Sequence, residues 1–248
     1  MTMLRSALFN LLFLGGTALV VLAAVPLLAA PPPVLIGYVR LWARAVIGLL
    51  RIVCGIRVAV TGLEHIPTGG AIIAAKHQSA FDTVVWLVLL PRCVYVLKKE
   101  LLDIPIWGWL ARRCGHVAVD RKAGAKALRG MVREAGGRLA EGRPIVIFPE
   151  GTRTAPGEHV PYQPGVAALA AATHAPVVPV ATDSGRCWGR RAFRKPPGVI
   201  HISVLPPLPA GQPRAALMNA LETAIEDETA RLHGSAHPVD KSGERGCG

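Results

Sequence analysis

From Ala7 to Ala30 the chain carries no charge, and Asn10 and Thr17 are the polar interruptions. That run is roughly 24 residues long, and about 20 apolar residues suffice for a helix to cross a bilayer. A secretory signal has a shorter apolar core and a small-residue cleavage site. The stretch Val25 to Ala30 resembles such an end, but Pro31, Pro32 and Pro33 follow at once and suit cleavage poorly. The run therefore reads as a retained membrane anchor. Val34 to Arg57 has a different pattern. Arg40, Arg44 and Arg51 recur at offsets of four and seven, on one helical face, while Leu41, Val46, Leu49, Leu50 and Ile52 fill another. This suits a helix lying in the membrane interface with arginines toward anionic headgroups. The same pattern fits an amphipathic helix packed on its own domain. Arg5 precedes the apolar run and several arginines follow it, which predicts that the body of the chain sits in the cytoplasm.

Beyond Arg57 short apolar runs alternate with helical periodicity. Buried strands are expected at Ala71–Ala75, Val94–Leu97, His116–Val119, Pro144–Phe148, Pro176–Ala181 and Val199–Leu205. Helices are expected near Thr83–Leu90, Ile106–Arg113 (opened by Pro105), Ala123–Ala140, Val166–Thr173 and Arg214–Leu232. Alternation of this kind predicts an α/β domain whose mixed, largely parallel sheet is flanked by helices. The organisation reads as a membrane anchor and interfacial helix over 1–57, a globular domain over 58–233 and a disordered tail over 234–248, rich in Gly, Ser and charge.

Composition agrees with a membrane setting. Of the 248 residues 51% are hydrophobic, and mean hydropathy is +0.39. The net charge of +12 calls for an anionic partner or surface. Nucleic acid is disfavoured, because there is no long basic run, zinc-finger spacing or aromatic RNA-binding signature. An anionic membrane accounts for charge and apolar N-terminus together. Cys54, Cys93, Cys114, Cys187 and Cys247 make an odd set without Cys-x-x-Cys spacing, which fits a reducing compartment and no metal site.

Candidate chemistry sits after the strands, where open α/β sheets place their sites. His77 follows one strand, and Asp82 lies five residues on, able to reach the imidazole if the turn bends back. A carboxylate on one ring nitrogen fixes the tautomer and leaves the other nitrogen free to take a proton. Phe148-Pro149-Glu150-Gly151-Thr152-Arg153-Thr154 follows another strand. There Gly151 permits positive φ and close approach of an anion, and Arg153 offers a planar fork to phosphate oxygens. Glu150 could accept from a substrate hydroxyl or hold Arg153. Lys98, Lys99 and Glu100 follow a third strand, and Asp120 and Arg121 a fourth. Surface charge is the ordinary explanation for any one of these, but four strand ends with useful polar groups make a pattern. His65 and His116 read as structural.

With these residues in place the chain resembles the glycerolipid acyltransferase family, and within it the bacterial-type 1-acyl-sn-glycerol-3-phosphate acyltransferases. His77 and Asp82 match the family's His-x4-Asp block. Lys98 to Leu101, Pro105, Gly108, Asp120 and Arg121 are similar to its second block. Phe148 to Thr154 match Phe-Pro-Glu-Gly-Thr-Arg-Ser with Thr154 in place of Ser, and Val178-Pro179-Val180 matches the fourth. Together the blocks cover roughly Gly62 to Leu205, in order, where any single one would be weak.

The resemblance implies transfer of a fatty acyl group from acyl-CoA or acyl-carrier protein, as co-substrate and with no cofactor or metal, to the sn-2 hydroxyl of lysophosphatidic acid. His77 would be the base and Asp82 its orienting partner. Lys98, Arg121 and Arg153 would hold the phosphate. Glu150, Gly151 and Thr152 would position the acceptor. Acylation of another lysolipid, such as a lyso-ornithine lipid, stays open. A non-catalytic lipid-binding protein on the same scaffold is disfavoured by the intact His77 and Asp82.

Overall fold

In the computed structural model, which describes residues 1–120 and 123–235, seven strands form one sheet. They are β1 (Ile56–Thr61), β2 (Ile72–Ala75), β3 (Val94–Lys98), β4 (Val117–Val119), β5 (Ile145–Ile147), β6 (Val177–Thr182) and β7 (Gly198–Val204), in the spatial order β1-β7-β6-β2-β5-β3-β4. β6 and β7 pair antiparallel; the remaining pairs among the described residues are parallel. The mixed, largely parallel sheet expected from the alternation is therefore present. The helices are α1 (Thr2–Ala23), α2 (Pro32–Leu49), α3 (Asp82–Leu89), α4 (Trp107–Arg113), α5 (Gly124–Ala140), α6 (Gly165–Thr173) and α7 (Arg214–Ser235).

β2 shows why the sheet needs helices on both sides. Its four residues are all buried, and successive side chains point to opposite faces. Ile72 and Ala74 join a core with Met131 and Leu139 of α5, Leu169 of α6 and Leu221 and Ile225 of α7. Ile73 packs on the other face with Val46 of α2, Val85 and Trp86 of α3, and Trp188. β2, β3 and β5 run in the same direction, so their C-terminal ends and the loops that follow share one edge. Because β7 reverses direction after β6, the loop between them stays at that same edge.

Three boundaries differ from expectation. No strand is expected at β1, whose first two residues, Ile56 and Arg57, fall within the expected interfacial helix. In the structure that helix closes in a π-helical turn over Leu50–Cys54, Gly55 takes a left-handed φ of 69°, and Ile56 starts a strand parallel to β7. The arginines and the unbroken apolar run hid this change of period. The apolar N-terminal run is also broken: α1 ends at Ala23 and a 3-10 turn occupies Val25–Ala29, with Pro26 at its start. At the other end α7 continues through Ser235, and the rest of the expected tail, 236–248, lies outside the described residues, as does Cys247.

α1 and α2 form an antiparallel hairpin. Tyr38 Oη donates to the Val20 carbonyl at 2.9 Å, and Trp42 Nε1 donates to Thr17 Oγ1 at 3.2 Å. Both helices are long and apolar enough to cross a membrane, with mean hydropathies of 2.0 and 1.5. Neither is a core helix, since 11% and 22% of these windows are buried. Leu4, Leu8, Leu11, Leu19 and Leu22 form an exposed stripe along α1 at helical spacing. That stripe is the surface suited to lipid.

The opposite face of α1 is tied to the domain. Phe9 and Phe13 meet Trp188 edge-on, each with ring centroids 5.2 Å apart. Ser6 Oγ accepts from the Lys195 peptide N–H at 2.9 Å, and Asn10 Oδ1 accepts from Lys195 Nζ at 2.5 Å. At the far end Ala24 packs with Leu35, Leu110 and Cys114, while Arg113 donates to the Ala30 carbonyl at 2.9 Å. One side of α2 and of the turn after it packs on the domain, as the second reading of its pattern expects. Leu35, Ala43, Val46 and Leu50 are buried, whereas Leu41 and Ile52 are exposed beside Arg44 and Arg51.

Docking of α1 through Phe9 has a measurable consequence. Phe9→Ala in detergent micelles should lower stability by about 3–5 kcal/mol, as expected for deleting a buried ring. Leu11→Ala, on the exposed stripe, should stay within about 0.5 kcal/mol. Equal thermal melts for Phe9→Ala and the parent chain would show that α1 is not docked on Trp188.

Candidate active site

The turn between β2 and α3 is built on one carboxylate. Asp82 stands at the first helical position of α3, where a negative side chain suits the exposed N–H groups. Its Oδ2 accepts from the peptide N–H of Gln78 and of Ser79, each at 2.8 Å. The same oxygen lies 3.0 Å from His77 Nδ1. The backbone therefore does bend back far enough for the imidazole and carboxylate to meet. Asp82 is buried and absent from the cavity wall, whereas His77 lines it. With Nδ1 directed at Asp82, Nε2 is the nitrogen on the cavity side.

The peptide of His77 is gripped by the second motif. Its N–H donates to Glu150 Oε1 at 3.0 Å. Its carbonyl accepts from the Thr154 N–H at 2.8 Å and from Thr154 Oγ1 at 3.2 Å. The imidazole stacks on Phe148 with centroids 4.0 Å apart and planes 16° off parallel. Gly151 takes a φ of 70° and donates its N–H to the Phe148 carbonyl at 3.0 Å, closing the turn that carries these contacts. The two motifs, 73 residues apart at the His77–Glu150 bond, thus form one structure.

Glu150 differs from the sequence-based expectation. Its carboxylate points into the domain and does not line the cavity, so it contacts the His77 peptide rather than an acceptor. Lys76 Nζ lies 3.6 Å from Glu150 Oε1, and donates to Glu226 Oε1 and Oε2 at 2.6 and 2.8 Å. Tyr162 donates to Glu226 at 2.7 Å. Burial pushes the Glu150 carboxyl up to about 7, against the lowering effect of the His77 N–H and the Lys76 charge. Lys76, Tyr162 and Glu226 were not found by sequence reasoning. Lys76 adjoins His77 at the end of a buried strand, which is a signal; Glu226 lies 150 residues away and gives none.

A cavity of about 1020 Å³ opens over this edge of the sheet. Lys98, at the end of β3, and Gly151, Thr152 and Arg153 all line it. Thr17, Val20 and Val21 of α1, and Ala24 just past its end, also line it. Lys99 turns instead to Asp120, at 3.5 Å. Arg121 lies outside the described residues. Tyr95 and His116 continue the aromatic row begun by His77 and Phe148. His116 Nδ1 accepts from the Tyr95 N–H at 3.2 Å, and burial pushes this imidazole down to about 4, so it is neutral near pH 7. His65 also has a structural bond, its Nδ1 lying 2.8 Å from the Val204 carbonyl.

An imidazole held by a carboxylate at a largely apolar cavity, with Lys98 and Arg153 on the same wall, could transfer a group to a hydroxyl beside an anion. Residues 57–183 match the family described as Acyltransferase, and the chain belongs to it. Among its relatives, a 1-acyl-sn-glycerol-3-phosphate acyltransferase of Pseudomonas aeruginosa is 37% identical over 194 residues, covering 77% of this chain and 76% of that one. A human 1-acyl-sn-glycerol-3-phosphate acyltransferase alpha is 34% identical over 160 residues, 62% of this chain and 56% of that one. The crystal structure of the 1-acyl-sn-glycerophosphate acyltransferase PlsC from Thermotoga maritima superposes with a TM-score of 0.72 at 22% identity, covering 94% of this chain and 96% of that one, which establishes the shared fold.

The buried carboxyl makes stability depend on pH. Glu150 keeps its proton in the folded chain to about pH 7, above its ordinary value of 4.5. Stability is therefore full at low pH for this group and is lost as pH rises toward 7, by up to about 3 kcal/mol. Glu150→Gln, which holds no titratable proton, should flatten the fall in melting temperature between pH 5 and pH 7.5. An unchanged slope would assign that pH dependence to other groups.

Proposed function

We propose that this chain transfers a fatty acyl group from a thioester donor, acyl-CoA or acyl-carrier protein, to the sn-2 hydroxyl of lysophosphatidic acid, giving phosphatidic acid. The observation that carries this reading is the His77–Asp82 pair, with Nε2 turned to a cavity whose wall also bears Lys98 and Arg153. His77 Nε2 takes the proton of the acceptor hydroxyl as its oxygen attacks the thioester carbonyl. Asp82 holds the ring and stabilises the imidazolium that forms. Collapse of the tetrahedral intermediate breaks the carbon–sulfur bond, and the imidazolium returns its proton to the leaving thiolate. No cofactor or metal enters this sequence.

Arg153 and Lys98 bind the phosphate monoester of the acceptor, the guanidinium through paired N–H groups. Glu150 and Thr154 act one step back, by fixing the peptide that carries the base. The apolar α1–α2 hairpin associates the chain with a membrane, and both substrates' acyl chains fit the apolar wall it contributes. The arginines that follow α1 favour the cytoplasmic face of the inner membrane.

His77→Ala should reduce kcat by about 10²–10⁴-fold, the usual loss of a general base, with circular dichroism unchanged. Asp82→Asn should lose less, since an amide oxygen can still accept the Gln78, Ser79 and His77 N–H groups. A His77→Ala enzyme with parental kcat would sink the mechanism. Arg153→Ala should raise the KM for lysophosphatidic acid about tenfold or more while leaving donor KM in place. A rise confined to donor KM would reassign Arg153 to the donor.

A further inference from the structure

The loop from β6 to β7 carries two arginines that the proposed reaction does not use. Arg190 and Arg191 line the same cavity as His77 and Arg153. Arg190 Nη1 donates to the Arg153 carbonyl at 3.2 Å, which brings the second guanidinium to the arginine already assigned to phosphate. Among the described residues neither Arg190 nor Arg191 pairs with a carboxylate. Asp120 is the acid on the same wall, and it faces Lys99. The rim thus presents Arg153, Arg190, Arg191 and Lys98, more cationic groups than one contact to an acceptor requires.

The loop that holds them is fixed. Trp188 is buried against Phe9 and Phe13 of α1. Lys195 Nζ is buried with Asn10 Oδ1 and the Phe193 carbonyl as partners, at 2.5 and 3.2 Å. Between these anchors Arg191 adopts a φ of 56°, a conformation unfavourable for a residue with a β-carbon. Both anchors rest on α1, so the two arginines stand where the lipid-suited hairpin meets the cavity. The dianionic oxygens of a phosphate monoester can engage more than one guanidinium fork.

We propose that Arg190 and Arg191 form an entry site for the phosphate monoester of the acceptor, holding it at the membrane side of the cavity and passing it to Arg153. This inference rests on lysophosphatidic acid being the acceptor. The pair reads the acceptor and not the donor.

The test uses the full chain in mixed detergent micelles, comparing the parent with Arg190→Gln, Arg191→Gly and the double variant. Glycine suits a φ of 56°, so Arg191→Gly removes the charge without straining the loop. The double variant should show an acceptor KM raised about tenfold or more, with donor KM unchanged, as expected when charge-assisted contacts are lost. Arg190→Lys should recover part of the loss. A rise in donor KM instead, or no change in either, overturns the proposal. So does weaker flotation with anionic vesicles when acceptor KM in micelles holds, because that result describes a general membrane contact. Equilibrium binding of lysophosphatidic acid, measured beside turnover, separates the two readings. A parent chain that binds it through these arginines without acylating it refutes the reaction alone. Equal binding by parent and double variant refutes the entry site alone.

Discussion

One carboxylate oxygen, Asp82 Oδ2, receives three N–H groups, and the active edge of the sheet is arranged around it. Two of these donors come from the backbone of the turn, so the oxygen sets the path of the chain from β2 into α3. The third comes from the imidazole, so it also sets the ring. A single group thus fixes the helix start and the direction of the base. The stack on Phe148 and the bonds from Thr154 fix the remaining freedom of His77. Orientation of the His77 ring is therefore a property of the fold and does not await a substrate.

Beneath that turn lies a buried ionic network. Lys76 would be costly to bury alone; Glu226 compensates its charge and is bonded by Tyr162, while Glu150 lies beside the pair. The network links the base's own strand to α7, near the end of the described chain, so α7 contributes more than an apolar face. On the opposite side of the sheet α2 and α3 pack an apolar core that includes Val46, Val85 and Trp86. The asymmetry places polar support below the base and apolar wall above it.

Much of this was legible in residue order. The runs at Ala71–Ala75 and Pro144–Phe148 read as buried strands because all their residues are apolar, and they hold β2 and β5. His77 with Asp82, and Gly151 with Arg153, stood out because each pairs an unusual residue type with a strand end. β1 was missed because Arg57 continued a helical arginine pattern, and because one glycine, Gly55, carries the whole change of direction. Glu150 was misplaced for a physical reason. A carboxyl at a strand end reads as facing ligand, and only the packing of Lys76 from behind reveals that it faces inward. The partnership of Lys76 with Glu226 spans 150 residues and leaves no local periodicity to detect. Arg190 and Arg191 carry no motif that singles them out in the sequence; the reversal at β7 brings their loop to the cavity.

α1 has lipid-suited leucines on one face and cavity-lining Val20 and Val21 on another. With lipid against those leucines, α1 would be a partition one helix thick between two apolar surroundings. An acyl chain moving from bilayer to cavity exchanges one apolar surrounding for another, with little change in its contact with water. The hydrophobic effect, which would hold such a chain tightly in a protein surrounded by water, nearly cancels here. Residence of a lipid in the cavity is then governed by its headgroup, and the loss of an acceptor's charge weakens retention far more than the shortening of its tail.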